Sequence, residues 1–143
     1  MNDDTIKLLK ECDAGIKMGI SSLEDVIDEV KNEDLKTVLM DSRDRHCKLE
    51  KETTEYLNEY HDDGKEPAMF AKAMSKIKTD MKLMADYPDK GIAGLITDGC
   101  NMGLKSLNMY LNQYPTAIEK VKALVGKVLK EEEKLVKELR VYL

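Results

Sequence analysis

The sequence predicts an all-helical protein, and three observations carry that prediction. Helix-forming residues dominate a chain in which 36% of positions are charged. Aromatics make up only 5%, and no stretch alternates apolar and polar residues for long, so strand signals are weak. Prolines stand only at 67, 88 and 115, where they divide the chain into long segments of helical periodicity.

The first helix is expected over 3–30. At about 100° per residue, Leu9, Cys12, Ile16, Ile20, Leu23, Ile27 and Val30 share one face. The phase holds for the whole length, but Gly19, Ser21 and Ser22 fall within it and Ser21 with Glu24 has the spacing of a capping box, so the sequence leaves open whether the helix continues there or kinks or restarts. Asn32 is a suitable N-cap for a second helix running to about residue 60. Its apolar stripe is Leu35, Val38, Leu39, Leu49, Tyr56, Leu57 and Tyr60. Pro67 suits the first turn of a shorter helix over 66–85, whose stripe of Phe70, Met74, Ile77, Met81 and Met84 reads as core filling rather than an adaptable groove.

Pro88 and Asp89 open a third long helix. The 24 residues 91–114 carry only two charges, Asp98 and Lys105, and hold four of the eight glycines. A segment so poor in charge is expected to be largely enclosed. Its wide apolar arc holds Ile92, Leu95, Ile96, Gly99, Cys100, Met102, Gly103, Leu107, Tyr110 and Tyr114. The other side is polar but nearly uncharged, with Thr97, Asn101, Asn108 and Asn112, so the helix 66–85 or a second subunit is expected to cover part of it. Pro115 ends this helix, and Thr116 with Glu119 forms a capping box for a fourth helix to about residue 140. Its apolar face is Ile118, Val121, Leu124, Val125, Val128, Leu135, Val136 and Leu139.

Four long amphipathic helices joined by two tight turns and one long connection describe a single four-helix bundle over 1–143, up-down-down-up, with 66–85 as a crossover. A chain of this length buries roughly 70% of its unfolded surface and needs no disulfide or metal to hold it together. The net charge of −5, with both signs interleaved, lacks the basic patch of a nucleic-acid binder. Three scattered cysteines show no metal or redox spacing and suit a reducing cytoplasm. The first residues, MNDDTIKLLKECD, lack the basic-then-apolar order of a leader, and no apolar run reaches the length of a membrane span.

Three polar residues fall on apolar stripes, where unpaired charge is costly. Asp13 lies among Leu9, Ile16 and Ile20. His46 lies beside Leu39 and Leu49, in line with Ser42 and Thr53. Glu132 lies among Val128, Leu135 and Val136. Counting from the turns places Asp13 level with about Glu50, one turn from His46, and Glu132 level with Thr97 and Asp98. Cys12 and Cys100 fall on apolar faces as inert core residues, while Cys47 lies off its stripe.

This layout resembles the ferritin-like superfamily, and the runs TDGCNMG (97–103) and EEEKLVKELR (131–140) are similar to an uncharacterised family of small bacterial ferritin-like proteins. The resemblance implies a site of one Glu on each of two helices and Glu-x-x-His on each of the other two. Matched position by position, Asp13 is the first carboxylate and His46 keeps the second helix's histidine, but Arg43 stands where its Glu belongs. Glu132 keeps the fourth helix's carboxylate, but Leu135 stands where its His belongs, and the third helix offers only Asp98.

The expectation is therefore a non-enzymatic cytoplasmic module without a cofactor, acting by homo-oligomerisation or on a protein partner, with no nucleic-acid or membrane role. In its core, Arg43 or protonated His46 would compensate Asp13 and Glu132 in a polar network. The alternative is a reduced metal site of Asp13, His46, Glu50 and Glu132, whose histidine and carboxylates suit Zn, Mn or Fe.

Overall fold

The computed structural model describes residues 3–60 and 88–143. The expected helix 66–85 and its methionine stripe lie outside the described residues. Four helices are described, α1 (Asp3–Ile27), α2 (Glu33–Glu59), α3 (Pro88–Gln113) and α4 (Glu119–Leu139), and a 3-10 turn (Arg140–Tyr142) follows α4. No strand occurs among the described residues, and no helix there is long and apolar enough to cross a membrane.

Helix α1 runs unbroken past Gly19, so it does not restart at Ser21. Every residue of its expected apolar face is buried, and two turn hydrogen bonds carry that face on to Val30 after the helix ends at Ile27. The α1–α2 turn is fastened twice. Asn32 Oδ1 accepts the free amides of Asp34 and Leu35 at 2.9 and 3.1 Å, as the N-cap expectation requires. The Asp89 carboxylate, from the first turn of α3, accepts the amides of Lys31 and Asn32 at 2.8 and 2.9 Å.

At the other end, the expected capping box of Thr116 and Glu119 does not form. Thr116 Oγ1 donates instead to Asp4 Oδ2 at 2.6 Å, and its amide donates to the same oxygen. Thr5 Oγ1 accepts the amide of Ile118 at 3.0 Å. With the Thr116 hydroxyl committed to α1, α4 begins at Glu119 after Ile118, which makes no side-chain cap. The start of α1 thus supplies acceptors to the α3–α4 connection.

These fastenings fix the chain directions. The end of α1 meets the start of α3, and the start of α1 meets the end of α3, so the two are antiparallel. Between α2 and α4, residue 52 pairs with 127 and residue 45 with 138, which is also antiparallel. Helices α1 and α4 therefore point one way, and α2 and α3 the other. Neighbours around the bundle are α1–α2, α2–α4, α4–α3 and α3–α1.

The apolar core comes in two halves. One gathers Leu9, Ile16, Leu57, Leu107, Val121 and Val128. The other gathers Leu23, Leu35, Leu39, Ile92, Ile96 and Leu135. On α2 the residues between the halves include Ser42 and His46, and on α4 they include Glu131 and Glu132. The core is thus divided by a polar layer at mid-height.

Candidate functional site: a polar layer across the bundle

His46 is the centre of this layer, and it is 1% exposed. Helix α2 aims it inward because it continues the 3.6-residue spacing of Leu35, Leu39 and Ser42. Its Nδ1 lies 2.7 Å from the Ser42 carbonyl oxygen, and its Nε2 lies 2.6 Å from Glu132 Oε1 on α4. A carbonyl and a carboxylate both accept, so the form that satisfies both contacts is the imidazolium, donating from each nitrogen. Burial alone would lower the His46 pKa. Attraction and hydrogen bonding to Glu132, the Ser42 carbonyl and the Glu131 charge outweigh burial, and the net shift is upward.

The second carboxylate of the layer is Glu131, 6% exposed. It accepts Arg45 Nε in a forked contact, 2.9 Å to one oxygen and 2.7 Å to the other. Ser42 Oγ donates to Glu131 Oε1 at 3.0 Å. Arg45 also approaches Glu138 at 3.6 Å. The two carboxylates therefore each hold a cation from α2, and Ser42 links the two pairs through its carbonyl and its hydroxyl.

Two other helices close the layer. Gly19 of α1 lies against the imidazole: a Cβ there would stand 3.1 Å from His46 Cδ2 and 3.3 Å from Nε2. The ring occupies the space that any side chain at 19 would need. Cys100 of α3 directs its thiol at Glu132. Burial first, then the Glu132 charge and hydrogen bond, push that thiol well above its ordinary pKa. Gly103, one turn further on, leaves room beside Glu132 Oε2.

Of the residues expected to share a site, His46 and Glu132 meet. Asp13 and Glu50 are placed elsewhere. Gly19 marks the level of His46 on α1, and Asp13 stands six residues away, about 9 Å along the axis at 1.5 Å per residue. Its carboxylate, 1% exposed, pairs with Lys17 Nζ at 3.0 Å. Glu50 is half-buried near Cys47, whose thiol it helps to raise after burial itself. Arg43 is not placed on either core carboxylate: its guanidinium, 30% exposed, pairs with exposed Asp44 at 3.4 Å. Among the described residues, no three His, Cys, Asp or Glu side chains form a group suited to a metal ion.

Sequence reasoning misses Glu131 and Arg45. Both lie one position from the stripe residue of their helix, within a run of charges that reads as solvated, and only the pairing of α2 with α4 encloses them. Against models of known protein families, curated proteins and solved structures, nothing matches this chain.

Proposed function

We propose that this chain is a non-enzymatic, ferritin-like helical module that acts through self-association or protein contact in the cytoplasm. In this reading the bundle is up-down-down-up and residues 66–85 are its crossover helix. The directions of the four described helices support it: the end of α2 and the start of α3 belong to opposite ends of the bundle. A polar network stands where a ferritin-like relative would hold two metals.

One observation carries the non-catalytic half of the proposal. Both ring nitrogens of His46 are spent on Ser42 and Glu132, and Glu131 is spent on Arg45 and Ser42. A di-iron site does not fit the residues present. Arg43 replaces one ligand and pairs with Asp44, Leu135 replaces another in the core at 1% exposure, and Asp13 is paired with Lys17. Such a layer fixes the register of α2 on α4, a role well attested for buried polar residues in helical assemblies.

Metal analysis tests this. Purified without chelator, the protein is expected to hold no stoichiometric Fe, Mn or Zn, and His46→Ala is expected to lose stability. Stoichiometric metal that disappears in His46→Ala overturns the proposal in favour of a metal protein built on His46 and Glu132.

A further inference from the structure

Helix α3 is poor in charge for this chain, and the two charges of residues 91–114, Asp98 and Lys105, both lie on its outward seam. Asp98, Met102, Lys105 and Met109 fall within about 60° of one another around the helix. All four are exposed, Met102 at 65% and Met109 at 55%. Asn101 and Asn108 flank them and are exposed as well. Two large methionines on an otherwise polar, nearly uncharged face are the composition of a contact surface rather than of a solvated one.

The two charges on the seam indicate what makes the contact. Asp98 and Lys105 are opposite in sign and seven residues apart, which is two turns along one face. A two-fold axis level with the bond between Asn101 and Met102 leaves each about 5 Å from the axis level, on opposite sides. Rotation then brings Asp98 of each copy to Lys105 of the other, and both ion pairs form together. The same rotation brings the methionines at 102 together at the centre. It sets Met109 level with Gly94, where even an added Cβ would meet nothing within 4 Å. A parallel pairing in register would set Asp98 on Asp98 and Lys105 on Lys105. The pattern is thus its own complement only in the antiparallel, isologous arrangement.

We propose that two copies of this chain pair through the Asp98–Met109 seam of α3, antiparallel about that two-fold axis. This rests on the reading of the chain as a self-associating module and names the surface that does it. One helix against its mate lies at the small end of specific interfaces, so association is weak and concentration-dependent. Its two exposed ion pairs make it salt-sensitive.

Sedimentation velocity on the full chain at low salt, from about 5 to about 500 μM, tests this. The mass is expected to rise from one chain toward two. Asp98→Lys or Lys105→Asp sets like charges together twice and is expected to weaken association at least about tenfold. The double variant reverses both pairs and is expected to return to within about threefold of the starting affinity. Both positions are exposed, and circular dichroism verifies that each variant folds. A single-chain mass across the whole range overturns the pairing. So does a charge reversal that leaves association unchanged, or a double variant that stays apart. A metal-free monomer removes this interface and leaves the segment 66–85 or a foreign partner to cover the seam, whereas stoichiometric metal dependent on His46 removes the module reading whatever the mass.

Discussion

His46 Nε2 and Glu132 Oε1 stand 2.6 Å apart and join α2 to α4 at mid-height of the core, where the side chains are only 2% and 13% exposed. The pair makes stability depend on pH with a definite sign. The folded pKa of His46 is raised above its unfolded value of about 6.5. Its contribution is therefore complete below that value and is lost as pH rises through the folded pKa. The urea midpoint is expected to fall across that interval in the native sequence. Glu132→Gln removes the anion, costs roughly 1–3 kcal/mol at pH 6 and leaves burial as the dominant influence on the ring. Its midpoint is then expected to fall on acidification instead. A pH slope unchanged by Glu132→Gln would assign the dependence to other groups.

Gly19 and Gly15 form a matched test of the space around the ring. Both lie inside α1, where alanine is the better helix former by about 1 kcal/mol. An added Cβ at Gly15 meets nothing within 4 Å, so Gly15→Ala is expected to raise the urea midpoint. At Gly19 it meets the imidazole at 3.1 Å, and that ring is held on both nitrogens and cannot readily withdraw. Gly19→Ala is expected to fall below Gly15→Ala by roughly 1–3 kcal/mol. Equal effects would show that the ring yields.

How much of this layer is legible in the sequence depends on which side of a helix a residue occupies. His46 and Glu132 each interrupt an apolar stripe, and a lone polar residue on such a stripe must find a partner. Glu131 interrupts nothing: it opens a run of acids that resembles a solvated face, and Arg45 is needed from another helix to bury it. Levels are also hard to count across turns. Glu132 is expected opposite Thr97 and Asp98 but lies beside Gly103, because 114–118 form a turn outside both helices and α4 begins only at Glu119. The expected apolar arc of α3 is too wide for a similar reason. Periodicity places Gly99 and Met102 near its edge, and only the packing of α1 and α4 decides that both are exposed.

The Arg45–Glu131 contact offers a coupling measurement. Arg45→Met leaves Glu131 6% exposed with Ser42 as its remaining donor. The cost is expected at roughly 1–3 kcal/mol, toward the lower end because the Arg45 side chain is 34% exposed and solvent screens the pair. Glu131→Gln is expected to cost less, since Arg45 keeps Glu138 at 3.6 Å. In a double-mutant cycle by urea denaturation the two should couple by about 1 kcal/mol. Strict additivity would mean that the forked contact adds no stability beyond its separate parts.

The three cysteines report on whether the layer opens. Burial, with the Asp13 and Glu52 charges, pushes the Cys12 thiol up to about 12. Burial and Glu132 push Cys100 up as well, so neither presents a thiolate near neutral pH. Cys47 is exposed, yet burial of part of its surface and the Glu50 and Glu24 charges also raise it. Iodoacetamide at pH 8 is therefore expected to add one equivalent to the native chain, more slowly than to a free thiol, and three in urea. Intact mass followed by peptide mapping reads both. A second equivalent on Cys100 at the rate of Cys47 would mean that α3 lifts from Glu132 far more often than a closed core allows. Glu132→Gln removes a charge that adds to burial in holding Cys100 protonated, so labelling at Cys100 is expected to quicken in that variant while staying slower than at exposed Cys47.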